Sequence, residues 1–417
     1  MRIALLTNEY PPNVYGGAGV HVAYLSRELA RAEAGAHRVD VLCFGEQHET
    51  KANLRVHGVA PSVRFAAQDP RHARLLDALV RDLAMVGAVE SPDVVHCHTW
   101  YSHLAGCLAR QLTGAPLVLT THSLEPHRPW KEEQLGTAYH ATVWLERTAY
   151  ENADGVIAVS RSRQRDVQAL YGVPAERIRV IHNGIDPDEY RSRPAPDTLR
   201  RLGIDPAAPI VLFVGRITRQ KGILHLVRAI RWMKPGVQVV LCAGAPDTDA
   251  IASEMTALVG EVKAEAAVEV IWIPEMVPKE DVITLYSHAA IFVCPSVYEP
   301  FGIINLEAMA CETPVVAAAV GGIPEIVVPG ETGILVPLEG EGSGSAEPRN
   351  PEEYSRALAA AVNELMAAPE RRTAMGQAAR ERVLTHFSWS RIAEQTLEFY
   401  RELVEKRRVS RHNEAVR

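Results

Sequence analysis

Short apolar runs alternate with longer amphipathic stretches along most of the 417-residue chain. Such runs are typical of strands buried on both faces of a parallel sheet, and the stretches between them are typical of helices that cover it. The pattern therefore predicts an α/β protein built from two doubly wound, Rossmann-like units. Strands are predicted at RIALLT, RVDVLCF, PDVVHCH, APLVLTTH, DGVIAVS and RIRVIHNG in the first half, and at PIVLFVGRI, VQVVLCAG, VEVIWIP, AIFVCPS and TPVVAAA in the second.

A segment of different composition separates the two series. GIDPDEYRSRPAPDTLRRLGIDPAAP is rich in Pro and Asp, and a new apolar run begins at Ile210. We therefore predict an N-terminal domain over 1–190 and a C-terminal domain over 191–388. Residues 389–417 are predicted to form a C-terminal helix with a frayed tail, and the pattern allows this helix to cross back to the N-terminal domain. Ligands bind such sheets at the carboxyl ends of the strands, so the expected site is a cleft between two facing units.

Composition and charge narrow the classes of partner. With 47% hydrophobic and 23% charged residues, the chain has the balance of a soluble globular protein. A formal net charge of −7 gives no general attraction to polyanions, which argues against nucleic acid. No apolar run approaches the roughly 20 residues that span a bilayer, and the chain opens on a strand pattern, so neither membrane integration nor a signal peptide is expected. Six scattered cysteines without a C-x-x-C pair fit a reducing cytoplasm.

Two cations flank a predicted strand-to-helix turn in the second half. In FVGRITRQKG, Arg216 ends the strand and Lys221 follows five residues later, just before a helix that starts near Gly222. Cations and helix amides at such a turn suit a diphosphate, because each can neutralise a phosphate oxygen. An exposed basic turn without a ligand is the alternative interpretation.

Two acids follow a later strand of the same half. In VYEPFGIINLEAMA, Glu299 lies in the loop and Glu307 lies about a turn and a half into the next helix. A carboxylate can accept two hydroxyl hydrogens at once, as the vicinal diols of a ribose or hexose present them. Gly302 lets the backbone approach a ligand closely, and the helix start offers amides to a phosphate. The alternative is that Glu299 is a capping acid and Glu307 an exposed helix residue.

The first half supplies glycines and histidines at strand ends. The loop YGGAG, with Gly17, follows the first strand and permits a tight turn with free amides. His98 and His122 each end a strand at the same sheet edge as the glycine loop, which indicates a polar site there. The alternative is that both are structural residues with satisfied hydrogen bonds. By spacing, His96, His98 and His103 resemble a metal cluster, but no carboxylate or thiol completes the set, so we predict no metal.

Taken together, these motifs resemble a known family. GRITRQKG, EPFGIINLEAMA, GGIPEIV and GETGILV, in that order behind YGGAG, resemble the retaining GT-B glycosyltransferases of glycosyltransferase family four, from residue 1 to about residue 405. NEYPPNVYGGAGVHV, HTWYSHLAG and THSLEPHRPWKEEQLG resemble the short bacterial glycogen synthases. That subgroup includes enzymes that make maltose 1-phosphate from ADP-glucose and glucose 1-phosphate. The longer bacterial glycogen synthases have a lysine where this chain has Val14 and an aspartate where it has Thr99. These differences place the chain with the shorter subgroup and leave the identity of the acceptor undetermined.

The resemblance also implies roles for individual residues. Arg216 and Lys221 would bind the donor diphosphate, Glu307 the ribose and Glu299 the donor hexose. His122 would lie near the hexose 6-hydroxyl and the reacting centre. The implied donor-binding residues are Gly17, Arg216, Lys221, Glu299, Gly302, Ile303 and Glu307, and the implied catalytic residues are His122, Glu299, Arg216 and Lys221. On the acceptor side, His98 is a candidate, and a phosphate would need cations, which the loop EPHRPWK offers as Arg128 and Lys131 unless that loop is mere surface.

The predicted activity is retaining α-glucosyl transfer in the cytoplasm, without a cofactor. ADP-glucose would be the donor, and either an α-1,4-glucan or glucose 1-phosphate the acceptor. One alternative is a family-four enzyme that uses a UDP- or GDP-sugar on another small molecule or a lipid. A sugar-nucleotide epimerase would need acid/base carboxylates in the first domain, where no convincing pair is present. A sugar-nucleotide sensor that keeps the binding residues but has lost turnover is a further alternative, and the intact set of His122, Glu299, Arg216 and Lys221 argues against it.

Overall fold

The chain forms two compact units in the computed structural model, which describes residues 1–14, 16–60, 63–129, 131–339 and 347–416. Unit 1 comprises Met1–Gly184 and Trp389–Arg417, and unit 2 comprises Ile185–Ser388. The division thus falls after Gly184, ahead of the predicted 190/191 boundary. Residues from Trp389 onward belong to the first unit rather than following the second, and Arg417 itself lies outside the described residues.

Unit 1 is built on a sheet of eight strands among its described residues, in the order β3-β4-β2-β1-β5-β6-β7-β8. All neighbouring pairs are parallel except β3 and β4. The strands are β1 Arg2–Thr7, β2 Arg38–Phe44, β3 His48–Lys51, β4 Leu54–Val59, β5 Val94–His98, β6 Leu117–Thr121, β7 Gly155–Ala158 and β8 Ile178–Val180. The helices between them are α1 Gly17–Gly35, α2 Ala73–Ala88, α3 His103–Thr113, α4 Lys131–Leu135, α5 Ala138–Asn152 and α6 Arg161–Tyr171.

Unit 2 is built on a fully parallel sheet, which has six strands in the described part of the chain, in the order β11-β10-β9-β12-β13-β14. The strands are β9 Ile210–Arg216, β10 Gln238–Gly244, β11 Glu269–Ile273, β12 Ala289–Cys294, β13 Val315–Ala318 and β14 Gly333–Val336. The helices are α7 Pro196–Arg201, α8 Ile223–Ala229, α9 Asp249–Glu265, α10 Lys279–His288, α11 Ile303–Ala310, α12 Ile323–Ile326, α13 Pro351–Met366 and α14 Pro369–His386.

The last helix, α15 (Trp389–Val416), covers one face of the unit 1 sheet and packs along α1. Its Trp389 ring stacks on Tyr24, with the ring centroids 5.5 Å apart. Gly155 in β7 leaves the space that Phe399 occupies, since a Cβ there would lie 2.7 Å from the phenyl ring. Apolar side chains of α15 thereby become part of the core of unit 1.

The eleven predicted strands are all present, but three others were missed. Strand β3 is exposed along its whole length and carries polar residues, so it has no apolar signal. Strand β4 (LRVHGV) interrupts its apolar residues with Arg55 and His57, and β14 (GILV) has only four residues, so neither forms a clear apolar run. None of the helices in the described part of the chain is both long and apolar enough to cross a membrane.

Candidate active site

In unit 2, two turns meet at the carboxyl ends of the neighbouring strands β9 and β12. Gly222 follows β9 with φ of +63°, and a Cβ at this position would collide with the carbonyl oxygen of Pro295. The amide of Val297 donates a hydrogen bond of 3.0 Å to the carbonyl of Gln220 in the facing turn. Only glycine at position 222 allows this approach, which brings the side chains of both turns together.

Lys221 and Glu299 form an ion pair where the turns meet. The Lys221 Nζ lies 2.7 Å from Glu299 Oε2, and the side chains are 23% and 8% exposed. Ser296 Oγ donates a second hydrogen bond of 3.3 Å to the same carboxylate oxygen. Burial lowers the pKa of the Lys221 ammonium, but the neighbouring Glu299 carboxylate outweighs this effect and raises the pKa above its ordinary value. Lys221 is therefore a fixed positive charge.

The glycine pair of GGIPEIV holds the backbone of Glu299. Gly321 has φ of +58°, and a Cβ there would collide with the carbonyl oxygen of Glu299. The amide of Gly322 donates a hydrogen bond of 3.0 Å to that same oxygen. Gly321 and Gly322 therefore pack against the main chain of Glu299, although they belong to a later segment of the sequence.

Glu307 lies in α11, close to its start. It is the fifth residue of that helix, and its Oε2 accepts a hydrogen bond of 2.9 Å from the hydroxyl of Tyr286. Burial raises the pKa of the Glu307 carboxyl above its ordinary value. Gly302, with φ of +104°, caps the helix, and Ile303 is its first residue. The predicted helix position of Glu307 is confirmed, and its tyrosine partner was not foreseen.

Arg216 occupies the exposed end of β9 and pairs with a different acid. Its guanidinium forms an ion pair with Asp247, which follows the neighbouring strand β10. Sequence reasoning missed Asp247, although its position just after the predicted strand VQVVLCAG was a usable signal. The structure therefore brings Lys221 to Glu299 and Arg216 to Asp247.

In unit 1, His98 and His122 meet at the ends of the adjacent strands β5 and β6. His98 Nδ1 lies 3.0 Å from His122 Nε2. His21 of α1 lies against both rings, and its Nδ1 is 2.7 Å from Asn183 Oδ1. Burial lowers the pKa of His21 to about 4 and the pKa values of His98 and His122 well below their ordinary value. The three imidazoles are therefore neutral at physiological pH.

His96 and His103, which were rejected as members of a metal cluster with His98, have other partners in the structure, although the His96 and His98 ring centroids lie 4.1 Å apart. Both ring nitrogens of His96 have partners, Tyr400 at 2.5 Å and Thr120 at 2.7 Å. His103 packs edge-on against Tyr150, with the ring centroids 6.1 Å apart. The group that does form contains His21, which the sequence analysis did not single out because it lies inside a predicted helix.

Comparisons with known proteins match this architecture. Residues 15–189 match the family model described as Glycosyltransferase Family 4, and residues 196–382 match the one described as Glycosyl transferases group 1. The chain is 49% identical to alpha-maltose-1-phosphate synthase of Mycolicibacterium smegmatis, over 97% of this chain and 100% of that relative. The chain belongs to glycosyltransferase family 4.

Further relatives of this glycosyltransferase agree with the assignment. It is 31% identical to glycogen synthase of Mycobacterium tuberculosis, over 96% of this chain and 94% of the relative. The structure of a sucrose-phosphate synthase from Thermosynechococcus elongatus has a TM-score of 0.75 and 27% identity, over 97% and 99% of the two chains. The predicted family, the two-domain Rossmann-like GT-B fold and the enzyme class are confirmed.

The remaining predicted site residues of the glycosyltransferase lie in two loops of unit 1. Gly17 is the first residue of α1, and the amide of the preceding Gly16 donates a hydrogen bond of 2.9 Å to Glu9 Oε2. Arg128 lies 3.3 Å from Glu125 Oε1, and Lys131 begins α4. The structure thus gives Arg128 a carboxylate neighbour inside its own loop.

A buried carboxyl group lies beneath that loop. The amide of Glu125 and the hydroxyl of Tyr171 donate hydrogen bonds of 2.7 and 2.8 Å to Glu146 Oε2. Burial, together with the nearby Glu125 charge, raises the pKa of Glu146 to about 8. The sequence analysis did not identify the contact between Glu146 and Glu125, because Glu146 looks like an ordinary helix residue in the sequence.

Proposed function

We propose that this glycosyltransferase moves glucose from ADP-glucose to glucose 1-phosphate with retention of configuration, forming maltose 1-phosphate and ADP. The observation that carries the donor side is the Lys221–Glu299 ion pair, held between two strand-end turns. Glucose 1-phosphate is chosen as the acceptor because the 49% identical relative is an alpha-maltose-1-phosphate synthase.

The residues of unit 2 suit the separate parts of a nucleotide sugar. Lys221 and Arg216 would neutralise the diphosphate. Arg216 would then either break its ion pair with Asp247 or contact Asp247 and the diphosphate together. The amides of Gly302 and Ile303 at the start of α11 would donate to phosphate or sugar oxygens. The Glu299 and Glu307 carboxylates would accept hydrogen bonds from hexose and ribose hydroxyls, respectively.

The transfer itself needs positioning and charge stabilisation. The bond between the donor C1 and the phosphate oxygen breaks, the acceptor hydroxyl oxygen bonds to C1 on the same face, and the departing phosphate takes the acceptor's proton. Lys221 and Arg216 would stabilise the negative charge that grows on the leaving diphosphate. A neutral His122 can contact a hexose hydroxyl without supplying a proton to the leaving group.

Unit 1 would supply the remaining contacts. The Gly17 amide would lie against the phosphates, and Arg128 and Lys131 would hold the phosphate of the acceptor. His98 is 0% exposed and bonded to His122, so we propose that it orients His122 instead of touching the acceptor. Glu125 would have to give up part of its contact with Arg128 when the acceptor phosphate binds.

A glucan acceptor is the second candidate, since the chain is 31% identical to a glycogen synthase. The test follows release of nucleoside diphosphate from ADP-glucose and from UDP-glucose, each with glucose 1-phosphate, with glycogen and without acceptor. We expect fast release only with ADP-glucose and glucose 1-phosphate, and an α-linked phosphorylated disaccharide by NMR. Release that depends on glycogen would overturn the acceptor, a preference for UDP-glucose would overturn the donor, and a β-linked product would overturn retention.

A further inference from the structure

The geometry points to Tyr286 and Tyr190 as positioning residues that aim the Glu307 carboxylate at the donor ribose and thereby select ribonucleotides over 2′-deoxyribonucleotides. This inference rests on the proposed function, in which Glu307 binds that ribose. The hydroxyl of Tyr286 donates a hydrogen bond of 2.9 Å to Glu307 Oε2, and the side chain of Tyr190 hydrogen-bonds the same carboxyl group. Two phenols from two different segments of unit 2 therefore hold one carboxylate.

Tyr286 is held in place by packing within unit 2. Its side chain in α10 is 0% exposed, and its ring packs edge-on against Phe292 of β12, with the ring centroids 5.4 Å apart. The carbonyl oxygen of Tyr286 accepts a hydrogen bond of 2.6 Å from Thr313 Oγ1. Because both the ring and the backbone are fixed, the hydroxyl is a preorganised donor that can orient its acceptor.

Tyr190 reaches the same carboxyl group from the loop that precedes α7. It is 8% exposed, and its amide donates a hydrogen bond of 2.9 Å to the carbonyl oxygen of Asp186. The carbonyl oxygen of Tyr190 lies 3.4 Å from a guanidinium nitrogen of Arg380. The loop is thus tied down on both sides of the ring, so its phenol is also a fixed partner of Glu307.

The two phenols leave half of the carboxylate for the ribose. An ionised carboxylate has about four lone-pair positions on its two oxygens, and the tyrosines occupy two of them. The remaining two match the adjacent 2′- and 3′-hydroxyls of a ribose, and Glu307 is only partly buried, so a ligand can reach it. Burial raises the pKa of the Glu307 carboxyl, whereas the hydrogen bonds from Tyr286 and Tyr190 lower it. The phenols therefore also favour the ionised form, which accepts two hydroxyl hydrogens at once.

A carboxylate without one of its phenols would turn and lose part of this two-hydroxyl contact. A 2′-deoxyribonucleotide makes only one such contact from the start, so it has less to lose. The ratio of the two affinities therefore reports the orientation of Glu307, whereas a general loss of stability would weaken both nucleotides equally and leave the ratio unchanged.

The test is calorimetry on the full chain with ADP and 2′-deoxy-ADP, and with UDP and 2′-deoxy-UDP, so that the base preference does not affect the result. For the preferred base, wild type should bind the ribonucleotide about 10-fold more tightly or better, on the scale of a hydrogen bond to a charged group. Tyr286→Phe and Tyr190→Phe should each weaken ribonucleotide binding by about 3- to 10-fold and lower the ratio. The double variant Glu307→Gln/Tyr286→Phe should have the same ratio as Glu307→Gln alone, because the phenol acts through that carboxylate.

Tyr354→Phe is the matched control, because it also removes a buried hydroxyl of unit 2, which donates a hydrogen bond of 3.0 Å to the Pro295 carbonyl. It should keep the wild-type ratio, and melting temperatures verify that every variant folds. If Glu307→Gln lowers the ratio but Tyr286→Phe and Tyr190→Phe do not, this inference fails and the ribose contact of Glu307 stands. A wild-type ratio near unity, an unchanged ratio in Glu307→Gln, or binding of no nucleotide would overturn both.

Discussion

At the residue scale, the Lys221–Glu299 pair is the feature on which the proposed chemistry depends most. Glu299 is 6% exposed, so its charge depends on Lys221 and Ser296 for compensation. Removing one member of a buried ion pair leaves the other charge without compensation, which is more damaging than losing a surface pair. The two residues should therefore act as one unit.

We predict that Lys221→Met lowers kcat by about 100-fold or more, because it removes a preorganised charge from the leaving diphosphate. The measurement is steady-state release of nucleoside diphosphate, with circular dichroism to verify folding. Arg219→Met is the matched control, since Arg219 is exposed two residues earlier and pairs with Glu254 at the surface. Wild-type turnover in folded Lys221→Met, or an equal loss in Arg219→Met, would contradict the prediction.

Glu146 makes a second prediction at this scale, which concerns pH. Its pKa of about 8 in the folded protein lies above the ordinary value, so folding favours the protonated form. Its stabilising contribution is therefore complete below about pH 4.5 and is lost as the pH rises towards and through about 8. Over this range the free energy of unfolding should fall by up to about 1.4 kcal/mol per pH unit from this group.

The variant Glu146→Gln mimics the protonated carboxyl and should remove that dependence. Urea unfolding between pH 5 and pH 9 should show the variant gaining stability over wild type as the pH rises. Glu133→Gln, in an exposed position of α4, is the control and should follow wild type at every pH. Parallel curves for wild type and Glu146→Gln would show that Glu146 is already ionised in the folded state.

At the element scale, α15 supports the histidine strand of unit 1. The Tyr400 hydroxyl lies 2.5 Å from His96 Nδ1, and both side chains are fully buried. Thr120 of the next strand contacts the other ring nitrogen of His96. Helix α15 thereby holds β5 two residues before His98, so its packing is linked to the geometry of the candidate site.

We predict that Tyr400→Phe lowers the free energy of unfolding of unit 1 by about 1–3 kcal/mol, because it leaves a buried ring nitrogen without a partner. Urea unfolding followed by circular dichroism provides the measurement. In the control Tyr101→Phe, the removed hydroxyl has no hydrogen-bond partner among the described residues, so a change below about 0.5 kcal/mol is expected. Equal effects of the two variants would mean that the His96 contact contributes nothing.

At the scale of the whole molecule, unit 1 is discontinuous in sequence. Chain from both ends of the protein forms it, whereas unit 2 is one continuous segment, Ile185–Ser388. Buried residues of α15 complete the unit 1 core, namely Trp389, Ile392, Ala393, Leu397, Phe399, Tyr400 and Leu403. The folding of unit 1 therefore requires the last helix.

We predict that a chain ending at Ser388 loses the cooperative unfolding transition of unit 1 and keeps that of unit 2. Each large buried apolar side chain contributes about 1.5–3 kcal/mol, so their sum reaches the whole stability of a typical domain. Differential scanning calorimetry and limited proteolysis measure the outcome. A chain ending at Val409 keeps all these core residues and should behave as wild type. A Ser388 truncation that retains both transitions would contradict the role of α15.

Local pattern was enough to predict most of the fold and part of the candidate site. Lys221 and Glu299 both follow buried strands, and carboxyl ends of neighbouring parallel strands share an edge, so their proximity could be anticipated. Tyr286, the partner of Glu307, could not, because it comes from another element and carries no signal in its own segment. Asp247, the partner of Arg216, could have been found from its position just after a predicted strand. The edge strand β3 was not predicted because all its residues are polar and exposed, so its sequence contains no apolar run.

By itself, then, the sequence determined the alternation of strands and helices, the two-unit organisation and the residues at the strand ends, because periodicity and glycine turns are local properties of the chain. Only the tertiary structure decided that Lys221 pairs with Glu299, that His21 joins His98 and His122, and that Glu146 lies buried under the Glu125 loop. These facts depend on burial and on contacts between distant segments, which arise only when the chain has packed.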